Sequence, residues 1–165
     1  MKTKFFLMIG LLVFAGIVWS QNEDRQSKEA AKEAKVKKTV DSGRFQLVMN
    51  QAHPMSGRMI TLTSEYTLDL SGDSAISYLP YYGRAYSAPM NSAEGGIKFS
   101  EPVKEKKVVF NEKNKSYTIS FKVKGKEDTY QFFITLWLSG YSSVSVTCNN
   151  RQPIDFSGEI QLPDK

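Results

Sequence analysis

This chain contains few of the residues that usually act in catalysis or bind metal ions. Its 165 residues include one cysteine, Cys148, and one histidine, His53. A lone cysteine forms no internal disulfide, so a packed core must hold the fold. A lone histidine supports neither a set of metal ligands nor a catalytic triad, and no glycine-rich phosphate loop occurs. The sequence therefore predicts a non-enzymatic protein with no metal and no cofactor.

A strong excess of one charge is also missing. The formal net charge is +5, and Lys2 and Lys4 contribute two of these charges, which leaves +3 for the rest of the chain. Because the remaining lysines are scattered, solvation explains most of them, and we expect no nucleic-acid partner. One stretch of the chain is crowded with lysines: Lys104, Lys106, Lys107, Lys113, Lys122 and Lys124. On outward positions of edge strands they would hinder aggregation, and an anionic docking face is the alternative.

A long apolar run occurs at the N-terminus alone. The positive start, Met1–Lys4, is followed by uncharged apolar residues from Phe5 to Val18. This run is shorter than the roughly 20 residues that a membrane-spanning helix needs. It has the layout of a cleavable secretory signal peptide over residues 1–20. We therefore expect an exported protein, periplasmic or secreted, that does not span the membrane after cleavage.

Beyond the signal peptide, the composition divides the chain into two parts. Residues 21–43 are rich in Ala, Lys and Glu, which are good helix formers, and Gly43 suits the position after a helix end. Few of these side chains are apolar, so we expect the N-terminal helix to be only weakly docked. Residues 44–165 form the second part, in which apolar residues recur with a period of two.

The period-two pattern predicts β-strands over most of residues 44–165. Apolar and polar residues alternate over Ile60–Leu70 and Tyr130–Leu138, and Val108–Phe110 indicates a short strand. Turn-forming clusters such as Ser71–Asp73 recur at short intervals. The fold class is therefore mainly β: a single antiparallel domain of about eight strands, either a β-sandwich or a barrel, with an N-terminal helix.

One predicted strand carries aromatic residues on both faces. Phe133 and Trp137 lie on the face opposite Phe132 and Leu136, where a strand with one wet face would carry polar residues. We therefore expect that the N-terminal helix, a second sheet or another chain covers Phe133 and Trp137.

The densest unusual segment is YLPYYGRAY, Tyr78–Tyr86, which holds four tyrosines, a proline, a glycine and an arginine. Tyrosine offers a flat apolar face with a polar tip, and arginine binds a carboxylate or phosphate in a two-point geometry. We assign Tyr81, Tyr82, Arg84 and Tyr86 as the candidate ligand-binding residues. The alternative is a packed loop, whose tyrosines cover the edge of the core while the arginine stacks on them.

A family resemblance begins in the same segment. YLPYYG at residues 78–83 resembles a block of exported Bacteroidetes proteins that are catalogued as domain of unknown function 4251. Further similarities are Ser42–Phe45 at the domain entry, GGIKF at residues 95–99, Asn150–Arg151 and Phe156–Gly158. The resemblance covers nearly the whole chain after the signal peptide. It implies an envelope or periplasmic setting in a Gram-negative bacterium, and it supplies no activity, substrate or catalytic residue.

These observations favour an exported binding module of the cell envelope, with the tyrosine-rich segment as its contact surface. Its partner would be a small ligand, a glycan or an envelope protein. A structural protein that interacts with the envelope through Phe133 and Trp137 is the alternative. A hydrolase that uses unidentified residues is the least favoured hypothesis.

The protein isolated from its native host should begin at or near Gln21. Val18 and Ser20 stand three residues and one residue before this cut, where signal peptidase accepts small side chains. Mass spectrometry of the intact protein measures the N-terminus directly. A mass that includes Met1 and the apolar run would contradict the signal-peptide interpretation.

Overall fold

The computed structural model describes residues 25–86, 95–125 and 128–163. The predicted signal peptide over residues 1–20 and its cleavage site lie outside these ranges. A helix, α1, covers residues 25–41 and is followed by eight strands. The strands are β1 (Arg44–Pro54), β2 (Ile60–Ser71), β3 (Ser74–Pro80), β4 (Gly96–Asn111), β5 (Ser116–Lys124), β6 (Thr129–Trp137), β7 (Tyr141–Cys148) and β8 (Ile154–Gln161).

The eight strands close into an up-and-down barrel. Each strand pairs antiparallel with the next one along the chain, and β8 pairs antiparallel with β1. Short turns make this order possible, as between β2 and β3, where Gly72 adopts a φ of 58°. The predicted mainly β, antiparallel fold of about eight strands with an N-terminal helix is confirmed. Of the two predicted architectures, the protein has the barrel.

Apolar side chains fill the interior of the barrel. Alternate residues of β5 and β6 are buried, and the register partners Phe121 and Phe132 stack with their ring centroids 5.0 Å apart. An eight-stranded barrel is just wide enough for inward side chains to meet. The largest fully buried side chains are Phe121, Phe132, Phe156, Leu47, Met49, Leu68, Leu70, Leu79, Ile97, Ile119, Ile134 and Leu136.

Strand β4 is longer than its sequence pattern predicts. It contains 16 residues, whereas the alternation alone indicates a short strand at Val108–Phe110. The register between β4 and β5 shifts between Lys104 and Lys107, and Glu105 has a φ of 53°. A bulge of this kind interrupts the inward and outward alternation. Because of this bulge and the charged residues around it, the sequence pattern does not show that β4 is one continuous strand.

Helix α1 lies across the lower end of the barrel, which we define as the end that holds the starts of β1 and β5. Val36 and Val40 of α1 are buried and belong to the hydrophobic core. Residues 25–31 of the same helix are exposed. The expectation of a weakly docked helix is therefore wrong for the second half of α1, because its two valines complete the core. It is right for the first two turns.

Polar contacts also fix α1 to the barrel. Tyr117 Oη at the start of β5 donates a hydrogen bond of 2.8 Å to Asp41 Oδ1 at the end of α1. Lys115 Nζ in the turn before β5 lies 2.9 Å from Glu33 Oε1. These contacts hold α1 at the barrel end, away from the outer faces of the strands.

The outer face of β6 is therefore not covered by α1. Phe133 and Tyr141 are exposed, and the ring centroids of Trp137 and Tyr141 are 5.5 Å apart. In the part of the chain that the structure describes, neither a helix nor a second sheet lies over these rings. The expectation that the N-terminal helix or a second sheet covers these rings is therefore wrong, whereas a cover by another chain stays a prediction. We call Phe133, Trp137 and Tyr141 the β6–β7 aromatic face.

Tyr117 gives the docking of α1 a pH dependence. Burial and the adjacent Asp41 carboxylate raise the pKa of Tyr117 from 10.0 to about 12. Because the folded state holds this proton more tightly than the unfolded chain, the stabilisation is complete below about pH 10 and is lost as the pH rises through about 12. The loss corresponds to about 2–3 kcal/mol of unfolding free energy.

The variant Tyr117→Phe should therefore have a flatter stability profile than the wild type between about pH 10 and 12. Denaturant unfolding at a series of pH values measures the two slopes. Tyr86→Phe is the matched control, since Tyr86 is 70% exposed and should retain the wild-type slope. Indistinguishable slopes in all three proteins would show that Tyr117 does not couple α1 to the barrel.

Candidate functional site

The tyrosine-rich loop, residues 81–86, lies at the upper end of the barrel, opposite α1. It begins where Pro80 ends β3, because proline cannot donate to the sheet ladder. The loop runs beside the connection between β7 and β8, with Ala85 and Arg151 forming an isolated antiparallel bridge. Tyr86 N donates to Asn150 O at 2.8 Å, and Gln152 N donates to Arg84 O at 3.0 Å. The backbone of the loop is therefore fixed at two points.

Tyr81 anchors this loop, and its side chain is half-buried against the core. Its Oη lies 2.9 Å from Arg84 O and 3.0 Å from Gln152 O, so one phenol is the hydrogen-bond donor for two carbonyl groups. The buried Arg151 guanidinium lies over the ring at 5.2 Å. Burial is the main cause that raises the pKa of Tyr81. For Tyr81 the structure supports the packed-loop alternative.

Gly83 allows the ring of Tyr81 to fold back against the loop. A Cβ at residue 83 would lie 2.7 Å from Tyr81 Cζ and would also collide with its hydroxyl. Real Cβ atoms do not approach other atoms so closely. A side chain at residue 83 would therefore displace Tyr81 from its hydrogen bonds to the two carbonyl groups.

Asp128 supports the connection between β7 and β8 at this upper end. Its buried carboxylate accepts hydrogen bonds from the backbone N–H groups of Thr129 at 2.8 Å, Asn149 at 3.2 Å and Asn150 at 3.1 Å. A buried carboxylate needs such donors to offset the loss of water. Asp128 thus fixes the connection between β7 and β8, to which the tyrosine-rich loop is bonded.

Tyr82 belongs to a different group of rings, in which Tyr78 and Tyr82 are exposed and Tyr66 is half-buried against the core. Tyr66 and Tyr78 stack with their centroids 5.8 Å apart and their planes inclined by 18°. Tyr66 lies beside Tyr82, and burial together with Tyr66 raises the pKa of Tyr82. Lys98 Nζ, from the neighbouring strand, lies 4.8 Å from the centre of the Tyr78 ring. We call Tyr66, Tyr78, Tyr82 and Lys98 the tyrosine patch.

The strands position this patch through their alternation. In β3, the odd-numbered Ala75, Ser77 and Leu79 are buried, so Tyr78 must point outward. The register partners of Tyr78 are Thr67 in β2 and Lys98 in β4. The patch is therefore supported by three hydrogen-bonded strands, and Tyr78 and Tyr82 remain exposed in it.

The four predicted site residues therefore divide into three groups. Tyr81 packs, and Tyr82 joins the tyrosine patch. Arg84 and Tyr86 are exposed on the loop beside it, with their backbones bonded to the β7–β8 connection. Sequence reasoning missed Tyr66 and Lys98, which lie on other strands. The outward position of Tyr78 in β3 was the signal that could have identified the patch, since an aromatic residue on a wet face needs a reason.

Other reactive side chains have structural partners. His53 lies in β1 and not in a turn, and its Nε2 is 3.0 Å from Ser157 Oγ. Burial and Asp128 raise the pKa of the Cys148 thiol to about 11, so this thiol stays protonated near neutral pH. Among residues 25–86, 95–125 and 128–163, no three acidic, histidine or cysteine side chains are arranged to hold a metal ion. No helix within the same ranges is long and apolar enough to cross a membrane.

The fold and the site define a single eight-stranded antiparallel barrel domain with an aromatic surface patch near its upper end. The chain belongs to the family described as Domain of unknown function (DUF4251), whose model matches residues 27–160. The family predicted from YLPYYG is therefore confirmed.

A crystal structure of a DUF4251 family protein from Bacteroides eggerthii DSM 20697 is similar to the chain. Its TM-score is 0.65 at 19% sequence identity, over 83% of this chain and 91% of that chain. This likeness supports the barrel fold, and the organism supports the link to Bacteroidetes. No curated protein matches the chain.

The variant Tyr81→Phe should lower the unfolding free energy by about 0.5–1.5 kcal/mol, because it removes a hydrogen-bond donor from the carbonyl groups of Arg84 and Gln152. The exposed Tyr86 provides the same chemical change without a buried phenol, so Tyr86→Phe should have almost no effect. Chemical denaturation measures both variants. Equal stability of the two variants would contradict the anchoring role of Tyr81.

Proposed function

We propose that the protein is an exported, non-enzymatic glycan-binding module of the cell envelope, and that the tyrosine patch is its binding surface. The observation that carries the proposal is the stacked pair of Tyr66 and Tyr78, with Tyr82 beside Tyr66 and Lys98 held over Tyr78. The signal-like N-terminus over residues 1–20 supports export.

The geometry of the patch suits a sugar. Pyranose rings have apolar C–H faces that pack on aromatic rings, and hydroxyl groups at their edges that need hydrogen-bond partners. Tyr78 and Tyr82 offer exposed aromatic surface together with phenol groups. Lys98 adds a donor over the ring of Tyr78 in the same surface. The patch therefore combines flat apolar area with polar groups.

The filled interior of the barrel also supports a surface site. Small-molecule sites in barrels often lie inside the barrel or in its mouth. Here the inward side chains of all the strands pack into one core, and Tyr81 and Arg151 occupy part of the upper end. An extended ligand on the outer surface of β2, β3 and β4 is compatible with this packing.

Rigid support is a further argument for recognition. The rings of the patch stand on three paired strands and on a loop whose backbone is bonded to the β7–β8 connection. Side chains that are already held in place lose less conformational entropy when a ligand binds. The role of Tyr81 and Asp128 would then be to hold Tyr82 in position beside Tyr66.

A panel of cello-, malto- and chito-oligosaccharides tests the proposal by isothermal titration calorimetry. The variant Tyr78→Ala should weaken the binding of the recognised oligosaccharide by at least about tenfold, which corresponds to roughly 1.4 kcal/mol. Tyr141→Ala is the matched control, because Tyr78 is 49% exposed and Tyr141 is 44% exposed on the opposite side of the barrel. Tyr141→Ala should leave the affinity unchanged.

Failure to bind any member of the panel, or equal losses in the two variants, would contradict the proposal.

The β6–β7 aromatic face supports a second candidate function, contact with an envelope protein. Phe133 and Tyr141 are exposed there, and Trp137 packs against Tyr141. Aromatic residues of this kind are enriched in protein interfaces. Capture of an envelope protein that is lost in Tyr141→Ala and kept in Tyr78→Ala would favour this second candidate.

A further inference from the structure

A cleft at the lower end of the barrel is separate from both aromatic surfaces. It lies between the last turns of α1, the start of β1 and the residues that follow β8. Its volume is about 560 Å³, which falls within the range of roughly 300–1,000 Å³ for small-molecule sites. The cleft therefore has the size for one small ligand.

Positive charge is concentrated in this cleft. Lys35 and Lys38 of α1 and Arg44 of β1 line it, and its lining contains no acidic residue. None of these three cations forms an ion pair within the part of the chain that the structure describes. The acids nearest in sequence are engaged elsewhere, Glu33 by Lys115 and Asp41 by Tyr117. The charge of the cleft is thus complementary to an anion.

Part of the cleft wall is apolar. Phe45, Leu162 and Pro163 contribute to its lining. Phe45 belongs to the core and Leu162 packs against it, so this wall is continuous with the interior of the barrel. An inorganic anion would leave these side chains without a contact, whereas a ligand with an apolar tail would cover them.

The helix dipole explains only part of this arrangement. Lysines in the last turns of a helix interact favourably with its C-terminal carbonyl groups, which accounts for Lys35 and Lys38. Arg44 lies in β1, after the turn that ends α1, and it gains nothing from the dipole. Its presence in the same cleft, beside an apolar wall, indicates a ligand with an acidic head and a nonpolar body.

We propose that this cleft binds a single-chain carboxylate amphiphile, a free fatty acid of medium length. Its carboxylate would lie among Lys35, Lys38 and Arg44, and its alkyl chain would lie along Phe45, Leu162 and Pro163. The cleft holds one discrete molecule, so the occupant is a monomeric acid in solution and not the surface of a bilayer.

Calorimetric titration of the purified protein with decanoate, below the concentration at which it forms micelles, tests the proposal. Decanol has a tail of the same length without the charge, and hexanoate has the charge with a shorter tail. Decanoate should bind at least about tenfold more tightly than either probe, because each lacks one of the two interactions. The affinity for decanoate should fall with added salt.

Two double variants with the same change in net charge locate the site. Lys38→Gln/Arg44→Gln should weaken decanoate binding by at least about tenfold. Lys113→Gln/Lys124→Gln removes two exposed lysines that lie outside the cleft and should change the affinity by less than about twofold. Thermal melts show whether both double variants are folded. If one of them is unfolded, the single variant Lys35→Gln, on the helix surface, provides a second measurement of decanoate affinity.

Several results would overturn the proposal. Equal binding of decanol and decanoate would remove the role of the cations, and equal affinities in the two double variants would place the site elsewhere. Binding to phosphatidylglycerol vesicles without binding of monomeric decanoate would assign the charge to a membrane surface. Decanoate binding that requires deletion of residues 164–165 would show that the chain itself occupies the cleft.

Discussion

Pairing of β1 with β8 closes the barrel, and this pairing depends on a close approach of two backbones at Gly158. A Cβ at residue 158 would lie 2.8 Å from Met49 Cα and would collide with the carbonyl oxygen of Val48. The register of β1 shifts beside this point, between Met49 and Gln51. Glycine in a strand often marks such a site. Because the first and last strands meet here, the enclosed core and the two ends on which α1 and the upper loops pack all follow from this contact.

In the proposed function, recognition takes place on the outside of the barrel, because the barrel is closed and its interior is filled. The upper end shows how the fold supports this role through consecutive contacts. Asp128 fixes the β7–β8 connection, which is bonded to the loop that Tyr81 anchors, and this loop carries Tyr82 beside Tyr66. The first two of these steps are hydrogen bonds between parts of the chain that are distant in sequence. The position of the exposed ring of Tyr82 therefore depends on the folding of the whole domain.

The sequence predicts the fold better than the site. Alternation of period two is a local signal, so the strand count, the antiparallel class and the helix could be predicted. The length of β4 could not, because a bulge near Glu105 interrupts its alternation. The docking of α1 was missed because Val36 and Val40 alone bury the helix against the barrel, and two apolar residues are a weak sequence pattern. Composition located the tyrosine-rich loop, but only the register of β2, β3 and β4 brings Tyr66 and Lys98 to Tyr78.

The central claim is that the barrel interior is a packed core and that the tyrosine patch on its outer surface recognises a glycan. Amide and side-chain NMR shifts, followed during titration with the tightest-binding oligosaccharide, test both parts at once. The account predicts changes at Tyr66, Tyr78 and Tyr82, while the inward-facing Phe121 of β5 stays unchanged. Shifts of Phe121 and its core neighbours, or shifts confined to Tyr141 on the β6–β7 aromatic face, would contradict it.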